Sequence, residues 1–362
     1  MPEIKAAVCK AFGEPLTIQN VKLRGPQNGE IEVKIGAVAI CHSDIAYAGG
    51  AWGGTLPAVY GHEAAGEVTA VGNLVSEFTT GDRVVVTLIR SCGKCNFCGS
   101  GKPTICETSF ETTKGPLSMI GGGLLEQGMN CGAFAEKVVV DQSQVVKISK
   151  SVDYEVASLL ACGVLTGIGA VVNAAQVRPG QDVVVIGAGG VGLNTIQGAR
   201  IAGARRIVAI DMTSEKLDIA KEFGATDGVN ANSEKPWKDA KAAMGRGADA
   251  VFVTVGAIQA YDTAPRYLAS GGKIVIVGMP KSGECSQYEP VMMSAVGQGM
   301  IGTKMGDVVI KRDIPWMVDL YKQGRLKLDE LISGRFTLDQ INEAFEDTAS
   351  GVARRNVILF DS

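Results

Sequence analysis

Histidine is almost missing from this chain: His42 and His62 are the only two among 362 residues. Imidazole chemistry is therefore confined to two positions. A surplus of either charge is missing too. Thirty-five Lys and Arg face 38 Asp and Glu, a formal net charge of −3, and no basic run occurs. Electrostatic nucleic-acid binding is left without support. The opening MPEIKAAVCKAFGEP puts charges where a secretory segment needs an apolar core, so a cytoplasmic location is expected. No internal repeat or low-complexity tract appears. The nine cysteines are odd in number and follow no secretory signal, which argues against a disulfide framework. One uncharged run, residues 156–177, is long enough to cross a bilayer. It carries Ser158, Cys162, Thr166, Asn173, Gln176 and three glycines, and reads instead as a buried helix and turn. No membrane association is expected.

What the chain does have is an ordinary globular composition, 46% hydrophobic and 20% charged, over a length suited to two domains. Residues 4–40 and 64–90 read as short strands punctuated by Gly, Pro and Asn. From about residue 153 the rhythm changes. Apolar runs at 183–187, 206–211, 250–256 and 273–278 alternate with helical patterns, such as 213–223 with Leu217, Ala220 and Phe223 on one face. Strands alternating with helices predict a parallel sheet covered on both faces.

Within that second region lies Gly187-Ala188-Gly189-Gly190-Val191-Gly192, directly after the run VVVI. It is a GxGxxG turn. Its glycines permit a tight turn, close approach of a pyrophosphate, and close helix–strand packing, and the helix N-terminus offers free N–H groups to the phosphates. The next strand ends in Asp211, placed to hold ribose hydroxyls and to repel a 2′-phosphate. NAD is favoured over NADP, although Lys216, Arg205 and Arg206 lie nearby.

Four cysteines, Cys92, Cys95, Cys98 and Cys106, crowd into fifteen residues. Four thiolates at this spacing can close a tetrahedral zinc site with no open position, hence a structural one. Near the two histidines stand Cys41, Asp44 and Glu63. Thiolate and imidazole suit zinc and the carboxylates suit an outer shell. The spacing admits a second metal site and, equally, a buried histidine with no ligand.

Taken together, Cys41-His42-Ser43-Asp44, Gly61-His62-Glu63-Ala64-Ala65-Gly66, the four-cysteine lobe, Leu160-Ala161-Cys162-Gly163 and the GxGxxG with Asp211 resemble the zinc-dependent alcohol dehydrogenases of the medium-chain dehydrogenase/reductase superfamily. The resemblance covers the whole chain. It implies a GroES-like β-rich catalytic domain, residues 1–152 completed by 301–362, and a doubly wound Rossmann cofactor domain, residues 153–300. It implies two zinc ions per chain, NAD as cofactor, and catalytic zinc held by Cys41, His62 and Cys162, a ligand set belonging to the family. Glu63 would lie behind that zinc and Asp44 would support His62. Ser43 would accept the alcohol proton. Asp211 and Lys216 would hold the adenosine ribose, and His42 and Arg355 match positions touching the pyrophosphate. Trp52, Leu88, Phe110, Met279 and Ile301 align with the substrate pocket, an apolar one suited to a primary alcohol or aldehyde, although Trp52 also reads as a simple packing residue.

The family comparison narrows the branch. Polyol dehydrogenases lack a cysteine at the Cys162 position, and zinc-free reductases lack the full ligand set. The glutathione-linked branch has an acid where Trp52 stands and an arginine about where Phe110 stands. Many members end the proton path with a histidine where this chain has Ala46. The family also pairs its Rossmann sheets edge to edge, so a homodimer or homotetramer is expected, with residues 299–310 at the edge.

Overall fold

Both rhythms read from the sequence become sheets. The computed structural model describes residues 1–110 and 115–360. They form two compact units: residues 1–163, 309–324 and 328–362 in the first, and 164–308 with 325–327 in the second.

The first unit is built on two sheets. The larger runs Val145–Lys147, Arg83–Val86, Glu63–Val71, Glu30–Ala39, Arg355–Leu359, Ile332–Thr337, and Lys137–Asp141 also pairs with Glu30–Ala39. The smaller runs Leu117–Met119, Thr17–Leu23, Glu3–Cys9, Ala58–Val59, Glu126–Gln127. Val8, Ile31, Val33, Ile35 and Phe134 are among the side chains of its core.

Strand register positions the chemistry here. Glu30–Ala39 and Glu63–Val71 are antiparallel, with Ala39 opposite Glu63. Cys41 follows the first strand and His62 precedes the second, so the pairing brings both to one end of the sheet. On the other side of Glu30–Ala39, Val357 lies opposite Ala39, which delivers Arg355 to the same end. Helix Tyr154–Leu159 packs on both antiparallel strands. It fits because Gly36 has no side chain: a Cβ there would lie 2.3 Å from the Tyr154 ring. The turn after this helix carries Cys162.

In the second unit six strands are parallel throughout. Their spatial order is Asp227–Asn230, Arg206–Asp211, Asp182–Ile186, Ala248–Val253, Leu268–Ile276, Gly299–Gly302. Counted along the chain this is 3-2-1-4-5-6, the doubly wound dinucleotide-binding order. Helix Ser214–Phe223 buries Leu217, Ala220 and Phe223, as its periodicity predicts.

The division falls at 163/164 and 308/309 instead of 152/153 and 300/301. Packing is the reason. Tyr154–Leu159 covers the first unit's sheet, and Gly299–Gly302 adds a strand to the second unit's sheet. The uncharged run at 156–177 is broken into Tyr154–Leu159 and, after a turn, Gly163–Gly169, which Ala170–Ala175 continues as a wider helical turn. Among the described residues no helix is long and apolar enough to cross a membrane.

Candidate active site and metal centres

The first cluster forms where the strand ends converge. Cys41 is the N-cap of helix His42–Ala48. One ligating atom each from Cys41, His62, Glu63 and Cys162 lie within 4.8 Å of one another, and all four residues are buried. Asp44 holds the frame. Its Oδ2 accepts from the Cys41 N–H at 2.9 Å, and its Oδ1 accepts from the Gly61 N–H at 2.9 Å and from His62 Nδ1 at 3.1 Å. A carboxylate only accepts, so His62 carries a proton on Nδ1, and Nε2 is the ring nitrogen left to face a metal. Nε2 is buried and has no hydrogen-bond partner.

An orphaned imidazole nitrogen beside two thiols is the donor set zinc takes. The thiols behave accordingly. The hydrogen bond from Cys162 holds Cys41 well below the ordinary thiol range, and the same bond together with burial pushes Cys162 up. Burial raises Glu63, against the pull of Arg355. Glu63 is ion-paired with Arg355, and its other oxygen, Oε1, is buried without a hydrogen-bond partner. Ser43 follows, its Oγ accepting from Cys41 Sγ at 3.6 Å. His42 is exposed at the start of the helix.

The second cluster is the four-cysteine lobe. One atom from each of Cys92, Cys95, Cys98 and Cys106 meets the same 4.8 Å limit, and all four residues are half-buried. Backbone N–H groups already point at the sulfurs. Cys95 N–H donates to Cys92 Sγ at 3.2 Å, Cys98 N–H to Cys95 Sγ at 3.4 Å, and Cys92 N–H to Cys106 Sγ at 3.4 Å. Such donors stabilise thiolates, and four of them fit a closed zinc site.

The glycine turn of the second unit has the geometry its spacing predicts. Gly187 has φ +99°, a conformation that favours glycine. A Cβ on Gly192 would lie 1.9 Å from the Gly187 carbonyl oxygen, whereas one on Gly189 would meet open space. Gly189 caps helix Gly190–Ile201, whose first residues are Gly190 and Val191. Asp211 Oδ2 accepts from the Ala188 N–H at 2.8 Å, tying the next strand to this turn. Lys216 stands half-exposed on helix Ser214–Phe223. These residues fit a dinucleotide: an open backbone approach at Gly189, a helix N-terminus and a carboxylate beside it.

Residues 27–150 match the family model described as the alcohol dehydrogenase GroES-like domain, and residues 190–323 the one described as zinc-binding dehydrogenase. S-(hydroxymethyl)glutathione dehydrogenase of Escherichia coli is 36% identical over 98% of this chain and 99% of its own. This chain belongs to the zinc-dependent alcohol dehydrogenases of the medium-chain dehydrogenase/reductase superfamily. Among solved structures, benzyl alcohol dehydrogenase from Acinetobacter calcoaceticus is 31% identical, with a TM-score of 0.94 and full coverage of both chains. A zinc-binding dehydrogenase from Sinorhizobium meliloti, bound to NADP, is 25% identical over 99% of this chain and 100% of its own, at a TM-score of 0.84. Zinc and a nicotinamide dinucleotide are accordingly the cofactors of this oxidoreductase.

The remaining expected residues of this alcohol dehydrogenase fall in both units. In the first, Trp52 stands edge-on to Tyr47 at 5.1 Å between ring centroids, and Tyr47 stacks on Tyr60 at 6.0 Å. Leu88 packs half-buried against the core. Phe110 carries the Arg90 guanidinium over its ring at 4.1 Å, a cation that spacing did not suggest. In the second, Met279 is 62% exposed and Ile301 lies in the edge strand Gly299–Gly302. Tyr47 also went unnoticed as an aromatic neighbour. Its one signal was its place four residues after Ser43, on the same helix face. Thr254, which donates to the Ile186 and Gly187 carbonyls and buttresses the glycine turn, had no signal at all.

Proposed function

We propose that this enzyme interconverts primary alcohols, aliphatic or aromatic, with their aldehydes, using NAD in preference to NADP. The observation that carries the reading is the convergence of Cys41, His62 and Cys162 around the unpartnered His62 Nε2. Bound zinc supplies Lewis acidity, which lowers the pKa of an alcohol and polarises a carbonyl. NAD supplies the hydride acceptor. The chain's residues do the rest. Cys41, His62 and Cys162 would hold the metal, and Asp44 fixes the imidazole that faces it. The Ser43 hydroxyl is the first acceptor of the alcohol proton. Ala46 offers no further relay, so the proton passes on to solvent. In the second unit Asp211 disfavours a 2′-phosphate by charge.

The substrate reading rests on Trp52 and Tyr47, an aromatic corner in the first unit, and on the likeness to benzyl alcohol dehydrogenase. The acid and the arginine that mark the glutathione-linked branch are absent from positions 52 and 110. We also place the enzyme in the cytoplasm as a homodimer or homotetramer. The edge strand Gly299–Gly302 and the exposed Val291, Met292, Val296 and Met300 support that assembly.

The test is NADH or NADPH absorbance with the zinc-loaded enzyme on ethanol, butanol, benzyl alcohol, sorbitol and S-(hydroxymethyl)glutathione. Primary alcohols with NAD should give the highest kcat/KM. Turnover of sorbitol or of the glutathione adduct above all primary alcohols would overturn the substrate reading. Full activity in protein free of metal would overturn the mechanism.

A further inference from the structure

Aromatic residues are only 6% of the chain, yet three of those between residues 47 and 60 meet in one stack. Tyr60 is its base. The residue is buried, its carbonyl accepts from the Phe134 N–H at 2.9 Å, and its ring occupies space beside Gly128, where an added Cβ would lie 2.4 Å from it. Tyr47 lies nearly parallel to Tyr60, at 6.0 Å between centroids and 23° between planes. Trp52 meets Tyr47 edge-on, at 5.1 Å and 81°. Both are arrangements that the ring quadrupoles favour. Along the chain Trp52 is flanked by Gly49-Gly50 and Gly53-Gly54, which have no side chains to brace an indole. Tyr47 supplies a brace from the helix.

The stack is built on the segments that carry the catalytic cluster. Tyr47 belongs to helix His42–Ala48, which Cys41 caps, and stands one turn beyond Ser43 on the same face. Tyr60 adjoins Gly61, whose N–H donates to Asp44, and precedes His62 by two residues. The rings of Tyr60 and Tyr47 therefore tie Trp52 to the frame that positions Cys41, Ser43 and His62. Among the described residues the Tyr47 hydroxyl has no hydrogen-bond partner, so what Tyr47 brings to the stack is its ring.

We propose that Tyr47 is a positioning residue that sets specificity through Trp52: by fixing the indole it presents a rigid aromatic wall to the substrate, and so favours arylmethanols, primary alcohols carried on an aromatic ring, over straight-chain ones. The inference rests on the primary-alcohol reading above and names the substrate class within it. An aromatic ring gains offset or edge-on contact from an indole held in one orientation. An alkyl chain gains only apolar contact, which a loosened indole supplies nearly as well. Holding the indole beforehand also removes the entropy cost of ordering it on binding. The contact is made alike in the ground and transition states, so it acts on KM and leaves kcat nearly unchanged.

The experiment is steady-state oxidation of benzyl alcohol and butanol by the zinc-loaded enzyme with NAD. It compares the parent with Tyr47→Leu, Tyr47→Phe, Trp52→Leu and the variant carrying both leucines, and records the near-ultraviolet circular dichroism of each without substrate. The parent should favour benzyl alcohol in kcat/KM. Tyr47→Leu should cut that preference about threefold to tenfold, mainly through KM for benzyl alcohol, and should change the tryptophan band. Tyr47→Phe keeps the ring and should retain the preference. With Trp52 already replaced by leucine, Tyr47→Leu should leave the ratio where it stands, because no indole remains to be positioned. Should Tyr47→Leu fail to fold, Tyr47→Met takes its place. A parent that favours butanol, an unchanged ratio or tryptophan band in Tyr47→Leu, or the same change in ratio without Trp52 would overturn this inference and leave the primary-alcohol reading intact. A parent that oxidises neither alcohol would overturn that reading, and this inference with it.

Discussion

Asp44→Ala tests the frame of the catalytic cluster directly. Asp44 is fully buried and serves three donors: the Cys41 N–H, the Gly61 N–H and His62 Nδ1. Alanine leaves all three in place and unsatisfied. Each orphaned buried donor costs about 1–3 kcal/mol, and with partial relaxation the sum is about 3–6 kcal/mol. That is comparable to the whole stability of many domains, about 5–15 kcal/mol. Metal affinity falls too, because nothing then orients the imidazole; loss of such a supporting carboxylate costs about 10–100-fold. Asp44→Asn keeps one acceptor oxygen but aims an NH₂ at another donor, so about half the loss is expected. The assays are urea unfolding and zinc retention against a competing chelator. Asp218→Ala, at an exposed ion pair with Lys221, is the control and should stay within about 0.5 kcal/mol. An Asp44→Ala enzyme with unchanged unfolding midpoint and unchanged zinc retention would refute the reasoning.

Three further outcomes follow from the geometry. Cys162→Ala should abolish turnover with the fold kept, whereas Cys98→Ala should first lower the unfolding midpoint, since a closed zinc site contributes folding energy; elemental analysis should find about one zinc per chain in each variant and about two in the parent. Asp211→Gly should narrow or reverse the preference for NAD over NADP in kcat/KM, and should cost about 1–2 kcal/mol besides, because the Ala188 N–H loses its acceptor. Alcohol oxidation should climb into alkaline pH without a separate step near about 6.5, the ordinary histidine value. Ala46→His should raise the rate near neutral pH more than in alkaline buffer, and Ser43→Ala should be impaired at every pH; an unchanged profile in the first or full activity in the second would show the proton route to be misplaced.

Local sequence carried much of this protein. The GxGxxG turn, the four-cysteine spacing and the alternation of apolar runs each act within some thirty residues, where backbone geometry and chain length leave few options. The strand Asp227–Asn230 escaped notice because DGVN carries little β-branched character, and Gly299–Gly302 was expected at the sheet edge only through likeness to a family; pairing with a neighbour makes both strands. Cys162 drew no attention from spacing either. It lies in an uncharged run, and only likeness to a family pointed to it.

What the sequence by itself determined is therefore local: two kinds of sheet, a dinucleotide turn and a metal lobe. Tertiary structure decided what meets what. The register Ala39 opposite Glu63 sets Cys41 beside His62, and helix Tyr154–Leu159 brings in Cys162. The pairing of Arg355–Leu359 with Glu30–Ala39 takes an arginine from the far end of the chain to Glu63. Contacts of this kind depend on strand pairing and side-chain packing across long sequence separations, which no local pattern encodes.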